Sequence, residues 1–282
     1  MSGDVTSMSN EEIFKSISAD ISSGNTEGVS QRILSLSESS DDPFELLKCM
    51  SLLKLLPNDG TESKIANRLV AMADTENGFE IATALYNLGC PYFSYQIVKD
   101  LDGDDRVKRL RCHCLVDMEE YESAMECYPQ ISNPVINDRI MLSAIQSAVG
   151  EHKQSLDTSS ALLKENPKDY DVRVAYVTSL MLGGHDREAV KYVREGLKDK
   201  SADSNAIAAY VMRIQGNVKA AGGYAARAVQ KDNQHIGALE TLGICLALSN
   251  EYDKARITAG AINEISPGNK AAMNILSYCE SH

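Results

Sequence analysis

The chain has 282 residues, no Trp, four Phe and a formal net charge of −12. An aromatic-rich sheet sandwich is disfavoured by this Ala-, Leu- and Ser-rich composition, and only seven Pro leave room for long helices. The negative charge repels phosphate backbones and anionic membranes, no apolar run approaches the roughly 18 residues of a membrane span, and the polar Met1–Met8 lacks a secretory apolar stretch, so a cytoplasmic protein with reduced thiols is expected.

Residues 1–9 are expected to form a disordered tail. Helices are predicted over Asn10–Ile21, with Ser9 and Glu12 spaced as a capping box, and over Asn25–Leu36. A second pair, Asp42–Leu56 and Gly60–Ala73, begins with Asp42 as cap and Pro43 in the first turn. Segment 75–104 carries Gly89 at its fifteenth position, and Pro91 opens its second helix.

From residue 105 a phrase of close to 34 residues recurs: helix, Gly or Asn turn, second helix with a small residue near its start, polar connector. Frame 105–135 has Cys112 at eight, Tyr121 at seventeen, Ala124 at twenty and Tyr128 at twenty-four. Frame 136–169 has Gly150 at fifteen and Pro167 at thirty-two. Frame 170–201, two residues short, has Gly184 at fifteen and Ala189 at twenty. Frame 202–235 has Gly216, Ala221 and Ala228 at fifteen, twenty and twenty-seven. Frame 236–269 has Leu242 and Gly243 at seven and eight, Tyr252 at seventeen, Ala255 at twenty and Pro267 at thirty-two. Lys270–Cys279 is a final helix. A helix pair of this kind cannot bury its apolar surface alone, so neighbours must stack, and the small residues set how closely they approach.

Leu242-Gly243, Tyr252, Ala255 and Pro267 resemble the tetratricopeptide repeat family, well at 236–269, less at 136–235 and weakly before 105. The aromatic usual at the fourth position is replaced by Leu239, Asn205, Arg173 and Arg139. The resemblance implies an all-α, right-handed α-α superhelix of about eight antiparallel helix pairs plus a C-terminal capping helix. In domain terms, 10–104 would hold degenerate pairs, 105–269 the repeats and 270–282 the cap.

In that family the first helix of each repeat lines a concave surface, and positions two, five, nine, twelve and thirteen commonly face a ligand. Carried over, they give Arg106, Arg109, His113 and Asp117; Asn137, Ile140 and Ala144; Asp171, Val174, Thr178 and Met181; Asp203, Ala206, Tyr210 and Arg213; and Glu240, Ile244 and Leu248. This is a basic end followed by an aliphatic strip, suited to a helix or extended peptide with an apolar face and an acidic end. The alternative is that Ile140, Ala144 and Val174 simply pack on the next repeat. The carboxylate clamp of some family members needs Asn at position nine, and none stands there.

Other motifs give less. Cys112-His113-Cys114, with Cys127 nearby, suggests zinc, but helical residues two apart point about 200° apart and cannot grip one ion. Asp100, Asp102, Asp104 and Asp105 surround Gly103, yet the spacing is not that of a calcium loop. The run Arg106–Arg111 either recognises an anion or pairs with nearby acids, the second being favoured. No nucleotide-binding, hydrolase or metalloprotease motif is present, so no enzyme activity, cofactor or metal is expected. The leading functional reading is a non-catalytic scaffold holding a protein or peptide partner. The others are a structural subunit of a large assembly, loosely resembling the coatomer epsilon subunit, and a helical-repeat RNA binder, which the acidic charge disfavours. Exposed solenoid ends also invite self-association.

Overall fold

The computed structural model describes residues 9–57, 59–266 and 268–282, so Met1–Met8 of the expected tail and Pro267 lie outside the described residues. Among the described residues there are seventeen α-helices, two short 3-10 turns and no strand. No helix there is long and apolar enough to cross a membrane. The helices form two compact units, one ending at Glu120 and one beginning at Tyr121, a boundary inside the 105–135 frame.

The first unit holds α1 (Asn10–Ser22), α2 (Val29–Ser39), α3 (Pro43–Leu53), α4 (Thr61–Met72), α5 (Gly78–Asn87), α6 (Pro91–Val98) and α7 (Asp105–Asp117). Ser9 and Glu12 form the expected capping box, and Asp42 accepts from the Phe44 amide 2.9 Å away. Ile17, Ile33, Leu46, Met50, Ile65, Leu69, Ile81 and Leu85 are wholly buried in one core. The Arg68 guanidinium caps the end of α2, donating to the carbonyls of Ser37 and Ser40. Three predicted ends move by three residues or more, one being that of α2, which ends at Ser39 where Leu36 was expected. α2 starts at Val29 because Gly28 takes a left-handed φ of 68°, and α3 ends at Leu53, shortly before Pro57, which disfavours helix at the residue preceding it.

The second unit holds α8 (Tyr121–Cys127), α9 (Ile136–Ala148), α10 (His152–Glu165), α11 (Tyr170–Leu182), α12 (Asp186–Gly196), α13 (Ala202–Ile214), α14 (Val218–Lys231), α15 (Ile236–Leu248), α16 (Tyr252–Ile265) and α17 (Lys270–Glu280). Within it α9 packs on α10, α13 on α14 and α15 on α16, while α9, α11, α13 and α15 also touch in succession. Frame 170–201 is short because α12 stops at Gly196 and continues as a 3-10 turn, Leu197–Asp199, closed by left-handed Lys200.

One turn recurs in both units. At the fifteenth position of six frames the backbone is left-handed: Gly89, Glu119, Gly150, Gly184, Gly216 and Asn250, with φ between 62° and 83°. Each time the next amide reaches back five residues, as Cys90 to Leu85, Glu120 to Leu115 and Asn217 to Met212, each 2.9 Å. This is the Schellman closure, which satisfies otherwise orphaned carbonyls. The second helix then starts two residues later, at Pro91, Tyr121, His152, Asp186, Val218 and Tyr252.

Two positions set the helix spacing. Position twenty is Ser94, Ala124, Ser155, Ala189, Ala221 or Ala255, each with no exposed surface. Position eight is Ala82, Cys112, Ser143, Val177, Ala209 or Gly243, all buried. A Cβ at Gly243 would stand 3.4 Å from Thr258 Cγ2 and closer still to Ile275 Cδ1, so the capping helix α17 lies hard against this point. At position four, Arg173 is buried where the resembled family usually has an aromatic. Its Nη2 donates to Ser204 Oγ at 2.8 Å and its Nε to Tyr192 Oη at 3.3 Å, so a neighbouring tyrosine helps fill the space.

Candidate functional site

The site is a hollow of about 590 Å³ in the second unit, lined by residues of α11, α13 and α15 and of the turn before α15. Asp169 caps α11, accepting from the Val172 amide at 3.0 Å, and starts that helix with Tyr170 and Asp171 at the rim. Val174, Tyr210, Thr241 and Ile244 line it further along, and Arg213, Asp232 and Glu240 supply charge.

Hydrogen bonds fix the frame of the hollow. Thr178 Oγ1 and Tyr210 Oη, at position nine of consecutive repeats, lie 2.9 Å apart. The Arg213 guanidinium sits 5.4 Å from the centre of the Tyr210 ring, a cation–π distance, while its buried Nε has no hydrogen-bond partner among the described residues. Asn269, the cap of α17, donates its amide to Glu240 at 2.9 Å. His235 caps α15: its Nδ1 accepts from the Ala238 amide at 3.2 Å, which leaves the proton on Nε2, 3.2 Å from Asp203. Both ring nitrogens are thereby committed, so the imidazole keeps no lone pair to act as a base.

Tyr170 reaches from α11 to the start of α15. Its ring meets His235 edge-on at 4.6 Å and packs with Ala206, Ala228 and Ala238. A Cβ at Gly237 would overlap the Tyr170 hydroxyl, which is why glycine stands there. Burial, reinforced by Asp171, Glu240 and Asp203, pushes the Tyr170 phenol well up, so it remains an uncharged wall. The Asp171 carboxyl is also raised, by partial desolvation and then by Asp169, against an opposing pull from His235.

Of the sequence-derived strip, the hollow gathers Val174, Tyr210, Arg213, Glu240 and Ile244, together with Asp171. Asn137, Ile140, Ala144, Thr178 and Met181 belong to the same unit but do not line it. Val174, Met181 and Tyr210 are half-buried against a core of Val177, Ile207 and Val211, so each has one side in the core. Ala206 is wholly buried and turns no surface to solvent. Tyr170, Asp232, Gln234, His235, Ile236, Gly237 and Thr241 were missed. The available signal was Gly237 at position two, where other frames carry Arg106, Asn137, Asp171 and Asp203.

Arg106, Arg109 and His113 belong to the first unit. Arg106 Nε pairs with Asp104 at 2.9 Å with its guanidinium over Phe79, and Lys108 meets Asp105 at 3.7 Å. Arg111 caps the end of α6, its Nη2 donating to Val98 O at 2.8 Å and Leu101 O at 3.1 Å. Arg106, Lys108 and Arg111 of the basic run thus pair with upstream acids and carbonyls. His113 lies 6.1 Å from the Tyr86 ring, and the Cys114 thiol donates to Ser94 Oγ at 3.2 Å inside the core. A further hollow of about 650 Å³ lies between α1 and α2, with its one arginine, Arg32, tied to Asp20.

In the frames from 136 onward the first helices begin at position one, turn left-handed at fifteen and give way to the second helix at seventeen, with buried residues at eight and twenty. The repeats are tetratricopeptide-like. No family profile and no curated protein matches the chain. Among solved structures it is similar to a tetratricopeptide repeat protein from Parabacteroides merdae, at 10% identity and TM-score 0.48, covering 84% of this chain and 98% of that one. It is also similar to the TPR domain of P58(IPK), at 12% identity and TM-score 0.34, covering 97% and 88%. MamA from Desulfovibrio magneticus RS-1 aligns at 11% identity and TM-score 0.33, covering 60% and 98%. At these identities and scores the likenesses add nothing to what the chain's own helices show.

Proposed function

We propose that the protein is a non-catalytic scaffold whose α11–α13–α15 hollow holds a segment of a partner protein. The observation that supports this reading is that six family-derived ligand positions, chosen by sequence position alone, line one open hollow with an apolar floor and charged rim. Its floor of Val174, Ile244 and two tyrosine rings suits apolar side chains, and tyrosine is a favoured anchor at such surfaces.

The test is affinity capture from native extract with wild-type protein and a Tyr210→Ala/Ile244→Ala variant, after circular dichroism has shown equal helicity. Loss of a specific partner from the variant is expected. Equal recovery of every wild-type partner by the variant contradicts the hollow as the binding site. A second reading, an assembly subunit using its outer surface, is favoured by Ile257, which is 73% exposed on the second helix of its pair. In that case Ile257→Glu, and not the hollow variant, removes the partner.

A further inference from the structure

The hollow is chemically lopsided. It carries three carboxylates, Asp171, Asp232 and Glu240, against one guanidinium, Arg213. The carboxylates are not equally occupied. Glu240 accepts an amide hydrogen from Asn269, and Asp232 accepts the Gln234 amide at 3.0 Å. Asp171 makes no ion pair or hydrogen bond among the described residues, although Asp203 nearby is matched by His235. Neither Glu240 nor Asp232 meets a cation there.

The charges are also separated along the repeat. Asp171 is the second residue of α11 and Glu240 the fifth of α15, whereas Arg213 is the twelfth of α13. The His235–Asp203 and Thr178–Tyr210 contacts align the first helices at matching levels. At a rise of about 1.5 Å per residue, the backbone of Arg213 lies roughly 10–15 Å further along than that of Glu240 and Asp171. The hollow therefore has an acidic mouth beside Tyr170, an apolar middle of Val174, Ile244 and Tyr210, and a basic far end.

Resting on the reading that the hollow takes a partner segment, we infer that the segment is anchored by a lysine or arginine side chain. Its methylenes lie along Val174, Ile244 and the tyrosine rings, and its charge sits between Asp171 and Glu240. A long basic side chain suits this shape because it buries its stem on apolar surface while its head stays at a polar rim. The cation offsets the partial desolvation and the Asp169 repulsion that, in that order, raise the Asp171 carboxyl in the free protein. An acidic anchor at this end would face three carboxylates. The inferred chemistry is thus opposite, at the mouth, to the acidic-ended peptide expected from the basic run at 106–111.

The experiment uses full-length protein and three pools of fluorescent nonapeptides, degenerate except at a central lysine, glutamate or leucine, read by polarisation. The lysine-centred pool is expected to bind tightest. In Asp171→Asn/Glu240→Gln its affinity falls about five- to ten-fold, while the leucine-centred pool is unchanged. Both replacements are isosteric, and the side-chain carbonyl introduced by Glu240→Gln still offers Asn269 an acceptor. A surface control, Glu264→Gln on α16, leaves all pools unchanged. Tightest binding of the glutamate or leucine pool, or a lysine preference that survives in the double variant, overturns the basic anchor and leaves the hollow as a peptide site. Failure of all three pools to bind overturns the peptide-site reading and this inference with it.

Discussion

Gly237 gives the sharpest quantitative test of the packing around the hollow. Helix propensity alone makes Gly237→Ala stabilising by up to about 1 kcal/mol, since glycine in a helix is the worse former by that amount. The structure reverses the sign. A Cβ there overlaps the Tyr170 hydroxyl and stands 2.9 Å from Cζ and 3.0 Å from Cε1, where ordinary contact begins at 3.4 Å. Cζ must therefore retreat by 3.4 − 2.9 = 0.5 Å and the hydroxyl by more. The ring is held by His235 at 4.6 Å and by Ala206, Ala228 and Ala238. Overpacking of this kind costs about 1–3 kcal/mol, so net destabilisation is about 0–2 kcal/mol when the full propensity gain is realised. In a unit of this size that lowers Tm by about 2–4 °C per kcal/mol. Urea and thermal unfolding followed by circular dichroism measure it. Repeating Gly237→Ala in a Tyr170→Phe background, which deletes the overlapping oxygen, should recover about half of the loss. A stabilisation of equal size in both backgrounds refutes the contact.

Further consequences are testable in the same way. Gly216→Ala adds a methyl with nothing within 4 Å, so its cost of about 1 kcal/mol is purely that of a left-handed φ of 77°. Glu119→Gly, at the equivalent turn, should gain about 0.5–1 kcal/mol by urea titration. Ser155→Ala should cost about 1–2 kcal/mol, although alanine stands at that position in four other repeats, because Ser155 Oγ lies 2.7 Å from the Ser147 and Ser179 hydroxyls and from Ser143 O, all in the core. Asp171 has a raised carboxyl, so the folded state binds its proton more tightly than the unfolded chain and this group's contribution to stability falls as pH rises through and just above the ordinary carboxylate range. Asp171→Asn should remove that slope, read from unfolding midpoints between acid and neutral pH. All seven thiols are buried, and burial first raises Cys49 to about 11 and Cys90 to about 12. A thiol reagent at mildly alkaline pH should label none before unfolding.

The repeat was legible because its marks are local. The left-handed turn selects glycine at Gly89, Gly150, Gly184 and Gly216, and the spacing to the second helix follows from it. Asn250 is readable by the same rule, since asparagine tolerates that conformation, while Glu119 is identified only by its place in the period. Arg111 and Arg68 were opaque for a different reason: each caps a helix end distant in sequence, and a basic residue carries no sign of which carbonyls it will meet. The hollow was half legible. Position rules found Tyr210, Arg213 and Ile244, which each repeat presents by itself. They missed Tyr170 and His235, whose roles depend on contacts reaching across a repeat to α15 or back to α13.

The claim that the α11–α13–α15 hollow holds a partner segment is tested most directly by photocrosslinking in native extract. A photoreactive amino acid is placed at Val174 or Ile244 in the hollow, or at Ile257 on α16, and crosslinked peptides are mapped by mass spectrometry. Crosslinks from positions 174 and 244 to one shared segment of one partner, with none to that segment from 257, are the predicted result. Crosslinks to partners from 257 alone, with 174 and 244 silent, contradict the account.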